Sequence, residues 1–336
     1  MYIKSLNIQN LRNFKKVALD FQYPARPVEE GLSTLTLPNV NLLLGNNGQG
    51  KTTVLRAIAL SAISSIIQES GYVPYSMVRR KPGLKSLKDE PEGKAVLEAN
   101  YVLHDQDVGP EPDLLKESSE RRTRVVIQRI KDLERIRSDT AQIEEDPVWQ
   151  QMYDNESPAF LMVGYGATRR LEQPENYDAG SRKRMVLRYL RIAGLFQESF
   201  SLIPLERWLP ELKIENPGRY TQVVHLIDRL LEKPFSFHGH YDRDEYYFKQ
   251  GRSLVPLGAM SDGYRSYIGW IADLLYHICM GCPSGKKLVE NKGIVMVDEV
   301  DLHLHPSWQR TVVPMLARTF PNLQFIVTSH SPIITG

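Results

Sequence analysis

Val40-Asn41-Leu42-Leu43-Leu44-Gly45-Asn46-Asn47-Gly48-Gln49-Gly50-Lys51-Thr52 is the stretch on which the reading of this chain turns. Val40–Leu44 is a short, mostly apolar run suited to a buried strand. Gly45–Thr52 then satisfies the pattern G-x-x-x-x-G-K-[ST] in full. A helical pattern follows from Thr52 to about Gln68, with Leu55, Ile58, Ala62 and Ile66 on one face. The glycines let the backbone curl until several N–H groups face a phosphate, and the helix N-terminus adds partial positive charge. Lys51 is placed to reach the β- and γ-phosphates of a nucleotide, and the Thr52 hydroxyl to bind Mg²⁺.

Three further segments fit the same chemistry. Ile294-Val295-Met296-Val297-Asp298-Glu299 reads as a buried strand that delivers two carboxylates at its tip. Asp298 is expected at the metal and Glu299 at the attacking water, because phosphoryl transfer depends on positioning and charge compensation. Phe325–Thr328 reads as another buried strand, running into Ser329-His330. His330 is expected to contact the γ-phosphate or orient the water; standing alone, the segment would read as a histidine capping a strand end. Met260-Ser261-Asp262-Gly263-Tyr264-Arg265 precedes a helical pattern in which Tyr267, Ile268, Ile271 and Leu275 share a face. Ser261 reads as its N-cap, and the helix start as a second anion site.

Around these segments the pattern alternates between strand and helix, which predicts an α/β fold with a mixed, partly parallel sheet. Ala95–Leu103 and Arg124–Ile130 read as strands that pair antiparallel. Glu172–Glu232 reads mainly as helices, and Tyr246-Tyr247-Phe248-Lys249 as an alternating strand. Trp308–Thr319 reads as a helix and Leu323–Thr328 as the strand after it. No internal repeat or sustained heptad pattern is present.

The 336 residues, 42% hydrophobic and 24% charged, suffice for one large or two ordinary domains. No stretch approaches the roughly 18 apolar residues of a membrane helix. The first residues alternate like a strand and lack the apolar core of a signal peptide, so the expected location is cytoplasmic. Cys279 and Cys282 fit a reducing compartment. Their C-x-x-C spacing also fits half a zinc site or a redox pair, yet no second pair lies at finger spacing. Two small residues at a helix end is the plainer account.

A net charge of +2 gives no general argument for nucleic acid. Local basic clusters do occur: Arg79-Arg80-Lys81, Arg121-Arg122 with Arg124, and Arg182-Lys183-Arg184 with Arg188 and Arg191. Solvated faces account for such runs more simply than a binding site does.

In this order, the four motif segments resemble the ABC-type ATPases of the RecF, SMC and OLD kind. Ser261-Asp262-Gly263 looks like a degenerate signature motif, and His330 like the switch histidine. Leu11-Arg12-Asn13-Phe14 and Tyr165-Gly166-Ala167-Thr168-Arg169 belong to the same likeness. The run Asp298-Glu299-Val300-Asp301-Leu302-His303-Leu304-His305-Pro306 is similar to stand-alone bacterial anti-phage defence ATPases of the Septu and retron kinds.

The resemblance implies an ABC ATPase head in three parts. Residues 1–171 hold the phosphate loop and antiparallel strands, 172–240 a helical subdomain, and 241–336 the signature, the carboxylate strand and the switch histidine. ATP and Mg²⁺ are the implied ligands, with preference for adenine inherited from the family. Gly45, Asn46, Asn47, Gly48, Gln49, Gly50, Lys51, Thr52 and Thr53 are the implied nucleotide contacts, joined by Arg12, Asn13, Ser261 and Gly263. Glu299, His330 and Lys51 carry catalysis, while Thr52 and Asp298 hold the metal. The implied assembly is a homodimer that closes on two ATP molecules and opens on hydrolysis, Ser261 and Gly263 of one subunit facing the nucleotide of the other.

Several positions depart from the family pattern. His305 stands where an aspartate is usual in the loop after the glutamate. His303 and His305 also admit a metal reading, on an extended segment. Gln128 and Gln173 both stand as candidates for the family's Q-loop glutamine. The interval from Lys51 to Ser261 is too long for a transporter subunit and holds no coiled coil. The chain ends soon after His330, so any nuclease activity is expected in a partner, such as an HNH nuclease, or in sequence beyond. Possible DNA binding by a RecF-like clamp is the alternative.

Overall fold

Buried apolar runs and alternating runs build different sheets here, and the difference places the motifs. In the computed structural model all residues are described except 28–35, 47, 81–91, 110–114, 116–118, 139–145, 173–176, 178–185, 303, 305 and 336. Along the chain the strands are β1 (Tyr2–Leu11), β2 (Phe14–Asp20), β3 (Val40–Leu44), β4 (Glu92–Val102), β5 (Glu120–Ile130), β6 (Leu133–Ser138) and β7 (Met162–Tyr165). They continue as β8 (Phe235–Asp242), β9 (Glu245–Gln250), β10 (Ser253–Pro256), β11 (Gly293–Val297) and β12 (Leu323–Ser329). The longer helices are α1 (Lys51–Glu69), α2 (Leu205–Glu215), α3 (Pro217–Leu230), α4 (Asp262–Met280) and α5 (Pro306–Thr319).

β7, β11 and β12 are buried at every residue, and they join β3 in a parallel sheet ordered β3-β12-β11-β7. Burial on both faces is what a parallel sheet requires. Alternate residues of one strand enter two different cores: Val295 and Val297 face one, Ile294 and Met296 the other. The half-exposed runs form antiparallel sheets instead, ordered β2-β1-β4-β5-β6 and β10-β9-β8. The expected antiparallel pair is present, with Leu97 opposite Val125. The sheet was expected to be mixed; among the described residues, parallel and antiparallel pairs occupy separate sheets.

α1 lies between two of these sheets, touching β4 and β5 as well as β7 and β12. That position explains why burial extends beyond the expected stripe to Ala57, Ala59, Leu60, Ile63 and Ile67. α2 and α3 supply the helices expected after residue 172, but the boundary drawn at 240 falls inside β8. Phe235 and Phe237 point inward there and pair the strand with β9, a period of two that ends the helical region earlier. No helix among the described residues is long and apolar enough to cross a membrane.

One side chain ties the sheets together. Gln324 of β12 accepts from Ile3 N at 2.8 Å and donates to Ile3 O and Gln22 O, each also at 2.8 Å. It copies a backbone pairing between the parallel sheet and the β1–β2 hairpin. Replacing it by Leu strands buried backbone groups of Ile3. Gln324→Leu is therefore expected to lower unfolding free energy by about 1–3 kcal/mol in a urea titration, with the m-value unchanged.

Candidate nucleotide site

Strand ends assemble the site. The parallel register sets Ser329 beside Leu44, Val297 beside Val327, and Val297 beside Tyr165. The residues following these strands therefore emerge at one edge, where open α/β sheets bind ligands. A cavity of about 570 Å³ lies there, walled by the phosphate loop and α1 on one side and by Glu299 and His330 on the other.

Gly50 takes φ +95, and a Cβ on it would lie 2.6 Å from the Phe14 ring, so only glycine fits both demands. Asn13 Nδ2 donates to Gly48 O, which locks the β1–β2 turn onto the loop. Gln49 Oε1 accepts from Asn46 N at 2.9 Å. Lys51 Nζ donates to Gly45 O at 2.5 Å and Asn46 O at 3.1 Å, and lies 3.2 Å from the His330 ring nitrogens. Glu299 Oε1 is 3.2 Å from His330 Nε2. The ammonium, the imidazole and the carboxylate thus form one chain across the cavity.

Asp298 is buried and is not among the residues lining the cavity. Its Oδ2 accepts from Thr52 Oγ1 at 2.5 Å and its Oδ1 from Thr328 Oγ1 at 2.6 Å. Among the described residues no cluster of three or more His, Cys, Asp or Glu is grouped to hold a metal. A hydroxyl meeting one carboxylate suits Mg²⁺, which keeps water and takes phosphate oxygens for its remaining positions. The Thr52–Asp298 pair fits that ion.

Glu299 itself takes φ +47, an uncommon backbone setting for a non-glycine residue. Its N–H donates to Thr328 Oγ1 at 2.8 Å. On the other side Arg169 donates from Nη1 to Asp298 O at 2.7 Å and from Nη2 to Glu299 O at 3.0 Å. Burial draws the Arg169 guanidinium down to about 10, opposed by the nearby carboxylates of Asp298, Glu299 and Asp301.

The cavity gathers Arg12, Asn13, Gly48, Gln49, Gly50, Lys51, Thr52, Thr53, Glu299 and His330 from the expected set. Gly45 and Asn46 reach it through Lys51 and Gln49, whereas Asn47 lies outside the described residues. Ser261 and Gly263 are not among the lining residues. Ser261 does occupy the N-cap position of α4, but its hydroxyl makes no capping hydrogen bond and it is exposed. Gln128 lies on β5, opposite Lys94 and Arg135 and away from the lining; Gln173, His303 and His305 lie outside the described residues.

Sequence reasoning missed Ser76, Val78, Arg79 and Arg80, which complete the wall. Arg79 N donates to Asn10 O and Arg12 N to Met77 O, both at 2.7 Å, so this segment docks on the end of β1. The buried Glu134 carboxylate accepts from Met77 N at 2.7 Å and Val78 N at 3.0 Å and fixes it. The pair Arg79-Arg80 was visible as charge alone. Two other basic residues are no surface at all: Arg188 and Arg191 are buried, and Arg188 donates to the carbonyls of Asp154, Ser157 and Ala159. Lys81 and residues 182–184 lie outside the described residues.

Cys279 and Cys282 are free and buried, with burial pushing both thiols up. Their backbone carbonyls accept from Arg219 at 2.7 and 2.8 Å. They finish a helix.

Residues 40–335 match the family model described as "AAA domain, putative AbiEii toxin, Type IV TA system". The chain is 24% identical to the "Septu protein PtuA" of Bacillus mycoides (strain KBAB4) over 99% of its own length and 38% of the relative's. It is 21% identical to the "Retron Vc95 probable ATPase" of Vibrio cholerae over 88% of its length and 66% of the relative's. It thus spans less than two thirds of either protein. Among solved structures, an SMC head bound to the C-terminal winged-helix domain of ScpA superposes with a TM-score of 0.55 at 14% identity, covering 99% of this chain and 91% of that one. The fold, the phosphate loop and the family model agree: the chain belongs to this AAA-domain family, has the fold of an SMC head, and is similar in sequence to the Septu and retron proteins.

Proposed function

We propose that the chain binds and hydrolyses ATP as a subunit of a bacterial anti-phage defence complex, closing as a dimer around nucleotide and controlling a separate effector such as an HNH nuclease. The observation that carries the ATPase reading is the meeting of Lys51, Thr52, Glu299 and His330 in one cavity, with Thr52 bonded to the buried Asp298 behind it. The defence role rests on the likeness to the Septu and retron proteins.

ATP enters with its phosphates over the loop. Lys51 exchanges the carbonyls of Gly45 and Asn46 for the β- and γ-phosphates, and the N–H groups of the loop close on them. Thr52 and Asp298 would hold Mg²⁺, which would supply charge neutralisation for the phosphates. Glu299 takes the proton of the attacking water, while His330 holds the γ-phosphate end of the water's path. Ser261 and Gly263, absent from the chain's own cavity, complete the site of a second copy.

Glu299→Gln is expected to lower turnover by about 100-fold or more while leaving ATP binding intact. An ATP-dependent dimer should then accumulate, read by light scattering. Lys51→Ala is expected to lose stabilisation by Mg·ATP, worth about 2.7 kcal/mol at a ligand concentration of 100 times Kd. Expression with the genomic neighbours tests the role. A companion nuclease that co-purifies supports it; no companion, with phage protection intact in a Lys51→Ala strain, rejects it.

A second reading, a RecF-like clamp on DNA, is favoured by one surface. The outer face of the five-stranded sheet carries exposed Lys16, Lys94, Arg122, Arg124, Arg135 and Arg137. Glu98 pairs with Arg122 and Arg124 at 3.2 and 3.3 Å, so the others dominate the field. If the face binds DNA, Arg135→Glu with Arg137→Glu weakens retention, and the logarithm of the affinity falls linearly with that of salt. No retention at low salt with ATP would sink this reading.

A further inference from the structure

Arg169 stands outside the nucleotide cavity yet grips the turn that carries Glu299. Its two terminal nitrogens take the carbonyls of Asp298 and Glu299 at 2.7 and 3.0 Å, and Nη2 lies 3.5 Å from Leu302 O. Thr328 holds the N–H of Glu299 from the opposite side. A residue at φ +47 would relax toward ordinary backbone if these holds were released. The two hydrogen bonds of one planar guanidinium fix both peptide planes at once.

The same guanidinium lies 5.7 Å from the centre of the Trp270 ring, on α4. Its neighbours make the contact close. A Cβ on Gly269 would lie 2.2 Å from the Leu171 side chain, and Tyr165 OH donates to Asp273 Oδ2 at 2.7 Å. A Cβ on Gly166 would lie 2.3 Å from Gly194 O, so the loop between β7 and Arg169 has no slack. Residues 165–171 thus join the body of α4 to the Asp298–Glu299 turn. Ser261 and Gly263 sit at the other end of that helix.

We propose that Arg169 is a positioning residue for Glu299, and that through Trp270 it makes hydrolysis at a chain's own phosphate loop depend on how α4 is seated. The inference rests on the ATPase reading above. In a closed dimer, α4 of one chain serves the nucleotide of the other, so Arg169 links the two sites. A shift of the Glu299 carboxylate by an ångström lengthens its reach to the water and slows the chemical step, with little change in how ATP is held.

The test uses Arg169→Lys, Arg169→Ala and Trp270→Leu in the full chain. A lysine keeps the charge but cannot take two carbonyls in one plane. Hydrogen exchange of the amides in 298–302 is expected to quicken at least about tenfold in both Arg169 variants, with α1 protection unchanged. The kcat is expected to fall by about 10- to 100-fold, while KM for ATP stays within a factor of about two. Trp270→Leu should lower kcat less and add little on top of Arg169→Ala, the mark of a shared path. Unchanged exchange at 298–302 overturns the proposal, as does loss of α1 protection and of the thermal midpoint in step with kcat. If the wild type shows no turnover that Glu299→Gln removes, the ATPase reading fails, and the exchange measurement still decides whether Arg169 holds the turn.

Discussion

Parallel pairing of β3, β12, β11 and β7 is the constraint from which the site follows. Adjacent strands in a parallel sheet run the same way, so their C-terminal ends gather on one edge whatever their order in the sequence. Thr328, one residue before the end of β12, shows how tight the result is. Its hydroxyl donates to Asp298 Oδ1 at 2.6 Å and accepts from Glu299 N at 2.8 Å, so a single side chain sets both carboxylate-bearing residues of the neighbouring strand. A slip of one residue in the β11–β12 register would turn Thr328 to the other face and release both. The two cores on either side of the sheet oppose such a slip, since Ile294 and Met296 would exchange places with Val295 and Val297.

The polar groups at this edge are hydrogen-bonded to one another. Lys51 rests on loop carbonyls, Gln49 on the N–H of Asn46, and Thr52 on Asp298. Nucleotide binding is therefore an exchange of hydrogen bonds, and only the difference between old and new partners appears as affinity. Phosphate oxygens are stronger acceptors than peptide carbonyls for an ammonium, which gives the exchange its direction. Another part of the wall is fixed differently. Glu134 spends its carboxylate on two backbone N–H groups, so the segment bearing Arg79 and Arg80 stays in place without help from a ligand.

What could be read from sequence was what depends on near neighbours along the chain. The phosphate loop, the buried runs before Asp298 and His330, and the α1 helix each carry their own period or pattern, and the strand ends that bear them do converge. Arg169 was visible only as part of a family-like run, Thr328 only as a strand end and Arg79-Arg80 only as charge, because their contacts arise from registers between distant strands. Charge runs misled for a physical reason. Arg188 and Arg191 sit in a basic run that reads as a solvated face, yet their long side chains are inside, and Arg188 meets a cluster of carbonyls at 154–159. Carbonyl groups leave no trace in the identity of the residues that own them. The helical reading over Glu172–Glu232 ends close to Leu230, where the last helix before β8 stops, whereas the 172–240 boundary implied by the family likeness runs on into β8.

α4 has two unlike ends, and the contrast bears on how its motif is used. Its C-terminal carbonyls are held: Arg219 takes Cys279 O, and Asn291 takes Ile278 O at 2.9 Å. Its body is packed through Trp270, Asp273 and Tyr267, the last donating to Leu230 O at 2.7 Å. At the N-terminus Ser261 and Asp262 are exposed, and the Ser261 side chain makes no capping hydrogen bond. Helix starts usually spend a serine on that task, because the leading donors lack intrahelical partners. A helix fixed at one end with free donors at the other is suited to an anion brought from outside the chain. Within the proposed dimer that anion is the γ-phosphate held by the other copy, and the rigidity of the anchored end is what allows its arrival to be felt at Asp273 and Trp270 instead of being absorbed by a loose helix.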